Sequence, residues 1–210
     1  MDAKNMDFTL EELKILAENG QKDLQYAVGF YGIHTLTDFG QAAQWYEKAA
    51  KKDHVDALLH LGFLYAQGKG VDKDEKKAFT YIRRAAETGN KNAQYNLARC
   101  YEEGIGTKQD HSKAFGWYKK AGQQGDYRAM CCMGGYFLSG QAVPPNTERA
   151  FQLFEKAANA NIPAAQYNLS ILYRYGEGVE KDEDKADLWL TKAAQNGFKL
   201  AKDALHGEQE

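Results

Sequence analysis

Cysteine, histidine and acidic side chains are the residues of this chain that could hold a metal ion. Zinc is bound by thiolates and imidazole nitrogens. A zinc site would therefore combine His60 with Cys131 and Cys132, which are next to each other in the sequence. Calcium would need carboxylates, which the stretches 71–77 and 179–185 contain. Both stretches lack the ligand spacing and central glycine of a calcium-binding loop, so we predict no calcium site there. The zinc hypothesis depends on where its three residues lie in the fold.

Sequence motifs of known enzymes are missing from the chain. It contains no GxSxG, HExxH or P-loop sequence, and these motifs place the nucleophile, the metal ligands or the phosphate contacts that each chemistry needs. We therefore predict no catalytic residue, no metal and no cofactor, and a protein that is not an enzyme.

Composition and charge narrow the class further. The 210 residues include 27 Lys+Arg and 29 Asp+Glu, and 43% are hydrophobic. This apolar content is too high for a disordered chain, and the near-neutral charge argues against nucleic-acid binding. No apolar run reaches the roughly 18 residues of a membrane span, and the first residues lack the basic and apolar segments of a secretion signal. With three cysteines, too few for a disulfide framework, these features predict a cytoplasmic protein without membrane insertion.

A repeat of 36 residues runs through most of the chain. Several columns of alanine and glycine share this interval, and one of them consists of Gly68, Gly104, Gly140 and Gly176. A fixed period of this length is typical of stacked supersecondary units. Within each unit the apolar residues follow helical spacing on both sides of a short loop. Each repeat is therefore predicted to be a hairpin of two antiparallel helices.

Loop residues mark where these helices end and begin. Gly104 falls just beyond the first helix of its repeat, where a left-handed cap favours a residue without Cβ. Asp110 falls just before the second helix, where its carboxylate can accept hydrogen bonds from free N–H groups. Asp74, Asn146 and Asp182 occupy the same column. We predict that all four cap their helices.

One hairpin cannot cover its own apolar face, so neighbouring hairpins must stack. We predict an all-α fold, a right-handed α-solenoid of antiparallel helix pairs in a single domain over 1–210. Its predicted parts are an N-terminal half-repeat cap (9–20), repeat 1 (23–56), repeat 2 (57–92), repeat 3 (93–128), repeat 4 (129–164), repeat 5 (165–200) and a C-terminal capping helix (201–210). The tryptophans Trp45, Trp117 and Trp189 recur on the packing side of the second helices and are predicted to be core residues.

This arrangement argues against the zinc site. His60 belongs to repeat 2 and the paired cysteines belong to repeat 4. Packed helices lie about 8–10 Å apart, and zinc–ligand bonds are about 2.0–2.3 Å long. Two repeats of separation exceed that reach, so the cysteines are predicted to be half-buried structural thiols.

The repeat resembles the Sel-one-like repeat of the tetratricopeptide-like superfamily. Repeat 5 carries the resemblance best, as AAQYNLSILYRYGEGVEKDEDKADLWLTKAAQNG over 164–197. Two repeats depart from the pattern. Repeat 4 has Ala142 in place of the second loop glycine, followed by Pro144 and Pro145, which predicts a stiffer connector of different shape; repeat 1 has no GxG loop.

The resemblance implies a non-enzymatic adaptor or scaffold that binds another protein or an extended peptide on a concave face. It also leaves open an immunity or antitoxin-type inhibitor of a cognate toxin. A cysteine-rich branch of the family resembles penicillin-binding and β-lactam-hydrolysing proteins. That branch has paired cysteines in every repeat, whereas the cysteines here do not recur at 36 residues, so a β-lactam function is the least favoured.

Helical spacing predicts which residues line the binding face. If the alanine and leucine columns of each first helix point into the stack, the opposite side of that helix faces outward at 100° per residue. The predicted partner-binding residues are Tyr95, Asn96, Arg99, Glu102, Arg128, Tyr167, Asn168, Ile171, Arg174 and Tyr175. The same face includes Asp23, Tyr26, Phe30, Asp56, Leu59, His60, Phe63, Asn92, Glu103, Cys131 and Cys132.

Two kinds of residue on this face differ in what they predict. Arginines combine contact area with directional hydrogen bonding and are frequent at binding hot spots. The Tyr–Asn pairs at 95–96 and 167–168 resemble the family motif itself, so they either grip a peptide backbone or support packing between repeats. The expected partner is a protein or peptide, and a homodimer through the repeat ends near 201–206 remains open.

Overall fold

The structure, a computed structural model, describes residues 9–207 of the chain. These residues form twelve α-helices and no β-strand. The helices are α1 Leu10–Glu18, α2 Lys22–Leu36, α3 Phe39–Ala50, α4 Val55–Gln67, α5 Glu75–Glu87, α6 Lys91–Glu103, α7 His111–Gln123, α8 Tyr127–Ser139, α9 Thr147–Asn159, α10 Pro163–Tyr175, α11 Glu183–Gln195 and α12 Lys199–Gly207. The predicted class, an all-α solenoid of antiparallel helix pairs, is confirmed. No helix of this described part is long and apolar enough to cross a membrane.

The second helix of every repeat begins at a side-chain cap. Asp74, Asp110, Asn146 and Asp182 each accept a hydrogen bond from the N–H group three residues ahead, at 2.7–2.9 Å. Each such bond satisfies one of the helix N–H groups that has no partner within the helix. The predicted capping role of all four residues is confirmed.

Glycines end the first helices. Gly104 follows α6 with φ +75°, and its N–H donates to the carbonyl of Cys100. This left-handed cap, predicted from the sequence, is confirmed. The second loop glycine has a different role, because a Cβ at Gly106 would lie 1.9 Å from the carbonyl oxygen of Glu75. The connector therefore approaches the start of α5 closely at a position that excludes any side chain.

The chain forms two compact units, over 1–109 and 110–210. In unit 1, described from residue 9, each of the helices α1 to α6 packs against the next. Its amino-terminal end is covered by α1, because Ala17 packs in one cluster with Val28 and Trp45. The single-domain assignment made from the sequence stays a prediction.

Unit 2 repeats this arrangement over α7 to α12. Its central cluster contains Phe154, Leu169 and Leu172, all 1% exposed or less. At the far end α12 contributes Ala201 to a cluster with Leu190. Alanines of the repeat columns are fully buried in both units. Their small side chains let the packed helices approach closely, as the repeated small residues predict.

The tryptophans divide into two kinds. Trp45 is 7% exposed and is a core residue, as predicted. Trp117 and Trp189 are half-buried, and Trp189 packs against the central cluster of unit 2. The ammonium group of a lysine three residues ahead lies over each ring, 3.8 Å from the Trp117 centroid and 4.3 Å from that of Trp189. Each of these rings is therefore partly covered by the side chain of a lysine from its own helix.

Candidate functional site

The candidate site is the outward side of the first helix of each repeat, called here the first-helix face. In unit 1 it is formed by α2, α4 and α6, and in unit 2 by α8 and α10. The inward side of α4 is buried at Ala57, Leu61 and Tyr65, as the helical spacing predicts. Leu59 was predicted to face outward, but it is 7% exposed and is a core residue, so that prediction was wrong.

A stack of rings, here called the histidine–aromatic cluster, underlies this face in unit 1. It consists of Tyr26, Phe30, His34, Tyr46, His54 and His60. The Tyr26 ring stacks on His54 at a centroid distance of 4.5 Å, and Tyr46 stacks on His60 at 5.3 Å. Tyr26 and Tyr46 stack on each other at 5.7 Å. The hydroxyl of Tyr26 lies 3.5 Å from Nε2 of His60.

Sequence reasoning placed only part of this cluster on the face. It assigned Tyr26, Phe30 and His60, and it missed His34 and the supporting rings Tyr46 and His54. Three of the five histidines fall between residues 34 and 60, and this local concentration was the signal available. Which rings stack depends on how the helices pack, so the sequence could not supply it.

His54 has a structural role that fixes its protonation state. Its Nδ1 accepts a hydrogen bond from the N–H of Ala57 at 3.2 Å, which caps α4. An accepting Nδ1 carries no proton, so the neutral ring keeps its proton on Nε2, which lies 3.4 Å from a carboxylate oxygen of Asp23. Burial lowers the pKa of His54, and the carboxylates of Asp56 and Asp23 oppose this shift in part.

Burial shifts the pKa of the neighbouring side chains toward their uncharged forms as well. Burial lowers the pKa of His60, against an opposing effect of Asp56. Burial also raises the pKa of Tyr26 and, more strongly, that of Tyr46. Uncharged forms are favoured wherever a group loses contact with water. Burial therefore favours the uncharged forms of Tyr26, Tyr46, His54 and His60. The exposed carboxylates of Asp23 and Asp56 lie at the edge of the cluster.

One polar atom of the cluster has no partner. Tyr46 is fully buried, and its hydroxyl makes no hydrogen bond with any described residue. By contrast, the hydroxyl of Tyr65 donates to a carboxylate oxygen of Glu47 at 2.9 Å. Burial and that carboxylate raise the pKa of Tyr65 to about 12. The two tyrosines therefore form a matched pair, one with an unsatisfied hydroxyl and one with a satisfied hydroxyl.

The predicted residues of repeat 3 lie on α6, in unit 1. Arg99 donates from Nε and Nη2 to one carboxylate oxygen of Glu103, at 3.0 and 2.7 Å. The amide of Asn96 donates to the carbonyl of Asn92 at 2.8 Å, within its own helix. Tyr95 and Glu102 are half-buried. Arg99 is thus held by an ion pair along the helix, and Asn96 keeps its side-chain oxygen and one N–H for other contacts.

In unit 2, Arg128 serves a local structural purpose. Its Nη2 lies 2.5 Å from a carboxylate oxygen of Asp126, whose side chain is 3% exposed and caps α8. A buried carboxylate needs such neutralisation. Arg128 was predicted to bind a partner, and the structure gives it the additional task of compensating this buried charge.

The remaining predicted residues lie on α10. Arg174 donates to Asp187 of α11 at 2.5 Å, and Asn168 donates to the carbonyl of Ala164 at 2.9 Å. The Tyr167 ring packs on Phe198 at a centroid distance of 5.2 Å. The other two residues are Ile171, which is half-buried, and Tyr175, which is 69% exposed.

Two of the three cysteines, Cys100 and Cys131, have thiols that burial keeps protonated. Burial raises the pKa of Cys100 to about 11 and that of Cys131 to about 12. Nucleophilic and metal-binding cysteines act as thiolates, and these two thiols keep their protons at neutral pH. Over residues 9–207, no group of three or more His, Cys, Asp or Glu side chains is arranged to hold a metal ion.

Twelve short helices, capped loops at a 36-residue interval and a polar, aromatic first-helix face together define a tetratricopeptide-like helical-repeat protein. Five Sel1 repeats match the chain, over residues 23–54, 55–90, 91–126, 128–162 and 163–198. These segments cover most of the sequence, and the chain belongs to the Sel1 repeat family.

Solved structures agree with this assignment. A Sel1 repeat protein from Oxalobacter formigenes is 28% identical, with a TM-score of 0.89 over 96% of this chain and 82% of that one. A protective antigen with an SLR fold, from uropathogenic Escherichia coli strains, is 26% identical, with a TM-score of 0.74 over 93% of this chain and 50% of that one. The immunity protein Pa5087 from Pseudomonas aeruginosa is 22% identical, with a TM-score of 0.55 over 86% of this chain and 68% of that one, and it shares the fold. No curated protein gave a match to the sequence.

Proposed function

We propose that this chain is a non-enzymatic protein-interaction scaffold and that the first-helix face of unit 1 binds another protein or a peptide. One observation supports this most directly. Phe30 of α2 and Phe63 of α4 occupy equivalent positions in their repeats and are 42% and 36% exposed. Large exposed aromatic side chains on a soluble protein are typical of interaction surfaces.

The support beneath these two rings favours binding. The Phe30 ring packs on His34 at a centroid distance of 4.1 Å and approaches His60 at 6.4 Å. His60 in turn stacks on the fully buried Tyr46. An anchor held by packed neighbours loses little conformational freedom when a partner binds, so more of its contact energy contributes to affinity.

Charges at the edge indicate what the partner presents. The carboxylates of Asp23 and Asp56 are exposed beside the rings, and burial favours the neutral forms of His54 and His60. An apolar side chain with a basic residue nearby would match both features, through contact with the rings and attraction to the carboxylates.

The first-helix face of unit 1 continues onto α6 at the repeat position that Phe30 and Phe63 occupy. Arg99 lies 36 residues after Phe63 and occupies the position of the two phenylalanines, with its guanidinium held by Glu103. An arginine paired with a carboxylate of its own helix presents a fixed guanidinium plane on which a partner side chain can stack. We include Tyr95, Asn96, Arg99 and Glu102 in the proposed face of unit 1. The unit 2 residues Arg128, Tyr167, Asn168, Ile171, Arg174 and Tyr175 remain predicted contacts.

Narrower roles stay predictions. An immunity or antitoxin-type inhibitor is compatible with the fold, which Pa5087 shares, and would bind one cognate toxin very tightly. A cytoplasmic location and a homodimer through the end near α12 are also proposed from the sequence. Light scattering of the purified chain over a range of concentrations tests the dimer, since a dimer has twice the 23.6 kDa mass of the chain.

The test of the proposed face compares three forms of the full chain in affinity capture from native lysate. They are the wild type, a Phe30→Ala/Phe63→Ala double variant, and a Leu188→Ala control that removes an exposed apolar side chain of unit 2 (51% exposed). Loss of one aromatic hot spot weakens binding by about 2 kcal/mol or more, roughly 30-fold. We expect a polypeptide retained by the wild type and by the control to be lost with the double variant.

Helicity and melting temperature must be unchanged for the comparison to count. Equal capture by all three forms would contradict the proposal for unit 1 and would direct attention to unit 2. The Arg99→Glu and Arg174→Glu variants then separate the two faces, because each reverses one charge on one unit. If only Arg174→Glu loses the partner, the face of α10 binds it and the unit 1 assignment is wrong.

A further inference from the structure

The connector of repeat 4, residues 140–146, differs from the other connectors at its second loop position. In repeats 3 and 5 that position is Gly106 or Gly178, at φ +65° and +70°. A Cβ at Gly178 would lie 2.4 Å from the carbonyl oxygen of Thr147, so the loop lies directly on the start of the preceding second helix. Repeat 4 has Ala142 there, without a positive φ, and it cannot use the left-handed turn that produces this close approach.

A groove of about 490 Å³ lies beside this connector, within unit 2. The side chains of Phe115 and Phe137 line it and pack edge to face at a centroid distance of 5.6 Å. Val143, Pro144 and Pro145 line it from the connector. These five residues give the groove an apolar side, and two consecutive prolines hold part of it in a fixed conformation.

Two cations complete the lining, Lys119 of α7 and Arg149 of α9. In repeats 2, 3 and 5, the lysine three residues after the helix cap pairs with the aspartate of that cap. These pairs are Lys77–Asp74 at 3.9 Å, Lys113–Asp110 at 3.2 Å and Lys185–Asp182 at 2.8 Å.

Repeat 4 lacks this carboxylate because its cap is Asn146, a neutral residue. No described carboxylate lies within ion-pair distance of Arg149 or of Lys119. The guanidinium of Arg149 lies 5.7 Å from the Phe137 ring centroid. A groove with one apolar side and two cations without a carboxylate partner complements a ligand that has an apolar body and a negative charge.

We propose that this groove binds a peptide segment of a partner protein in which a bulky apolar side chain stands next to a carboxylate residue. The apolar side chain lies against Phe115 and Phe137, and the carboxylate pairs with Arg149 and Lys119. Arginine suits this purpose because its planar fork can donate two hydrogen bonds to one carboxylate. This site is independent of the first-helix face of unit 1 and would give the scaffold a second, differently charged docking position.

A peptide titration tests the proposal directly. The probes are Ac-Gly-Phe-Asp-Gly-NH2, the charge-reversed Ac-Gly-Phe-Lys-Gly-NH2 and the truncated Ac-Gly-Ala-Asp-Gly-NH2, each added to the full ¹⁵N-labelled chain in an amide correlation spectrum. We expect the Phe-Asp peptide to shift the amide signals of Val143 and Asn146. It should bind at least about fivefold more tightly than either control, as expected for one or two solvent-exposed ion pairs and an apolar contact.

The variant Asn146→Asp gives the sharpest comparison. Aspartate caps the equivalent helices of repeats 2, 3 and 5, so the fold should be retained, and the new carboxylate can pair with Arg149. We expect Asn146→Asp to weaken the Phe-Asp peptide about fivefold with an equal or higher melting temperature. Arg149→Gln should weaken it to a similar extent, and the control Lys185→Gln, which removes a cation already paired with Asp182, should not.

Four results would overturn the proposal. The first is no localised shift with the Phe-Asp peptide at millimolar concentration, and the second is equal binding of the Phe-Lys peptide. The third is a Phe-Asp affinity that Asn146→Asp leaves unchanged. A groove that binds 3-phenylpropionate as tightly as the peptide would recognise a small aromatic acid, and the peptide assignment would be wrong. The Phe30→Ala/Phe63→Ala variant should bind the peptide normally, so failure of this proposal is distinguishable from failure of the first.

Discussion

Removing one oxygen atom from Tyr46 should make this protein more stable. Tyr46 is fully buried, and its hydroxyl has no hydrogen-bond partner among the described residues. The ring itself is well packed, because a Cβ added to Gly29 would lie 2.7 Å from its edge. Tyr46→Phe keeps that ring and deletes the unsatisfied group.

The magnitude follows from two opposing effects. An unsatisfied buried hydroxyl costs about 1–3 kcal/mol, whereas a void of one oxygen atom costs a few tenths at about 24 cal/mol per Å³. The net expectation is a gain of about 1 kcal/mol, or about 2–4 °C in melting temperature for a chain of this size. Tyr65→Phe is the matched control, since it breaks the 2.9 Å hydrogen bond to Glu47 and should lose about 1 kcal/mol.

Urea unfolding of the two variants and the wild type, followed by far-ultraviolet circular dichroism, measures both changes. The denaturant dependence must stay the same for midpoints to report stability. A Tyr46→Phe variant that is destabilised as much as Tyr65→Phe would show that the Tyr46 hydroxyl has a partner in solution, such as an ordered water. The reasoning from an unsatisfied group would then be refuted.

Three further predictions concern other parts of the molecule. Stability should fall as pH decreases below about 6.5, because burial lowers the pKa of His54 and His60 from 6.5 and the unfolded chain then binds more protons than the folded one. The loss is limited to about 1.4 kcal/mol per pH unit for each histidine. Urea unfolding at pH 7.5 and 5.5 tests this, and an unchanged midpoint would contradict it. Gly106→Ala should unfold the chain or severely lower its melting temperature, since the added Cβ would lie 1.9 Å from a carbonyl oxygen. Gly116→Ala is the control: its Cβ would have no neighbour within 4 Å, and in a helix it should increase the free energy of unfolding by about 0.5–1 kcal/mol. Equal melting temperatures for the two variants would show that the connector relaxes. Arg128→Ala should cost about 1–2 kcal/mol because it uncovers the buried carboxylate that caps its helix, and a variant as stable as the wild type in urea would leave this arginine free to serve as a binding residue instead.

Arginine placement changes how partner binding should be tested. All three arginines predicted for the face are held by neighbouring carboxylates, Arg99 by Glu103 and Arg174 by Asp187 among them. Because Arg128 neutralises a buried group, its substitution would mix a loss of stability with a loss of binding. Arg99 and Arg174 form exposed pairs, which contribute about 0–1 kcal/mol each, so their reversal tests binding with little effect on the fold.

Local features of the fold could be predicted from the sequence. Capping by Asp110 and the left-handed turn at Gly104 depend on residues within a few positions of each other, and their chemistry favours one conformation. The helical spacing and the 36-residue interval then predict stacked hairpins, since each hairpin has one apolar side to cover. These features follow from patterns along the chain, and the structure agrees with them.

Side-chain pairing between helices was decided by the tertiary structure. The stack of Tyr46 on His60, the ion pair of Arg174 with Asp187 and the groove of the repeat 4 connector join residues whose separation in sequence carries no fixed geometry. Small differences in packing decide which side chains meet, because interiors are close-packed and each ring must fit its neighbours. The sequence therefore determined the repeat and its helices, and the packing of those helices determined which residues of the face remain available to a partner.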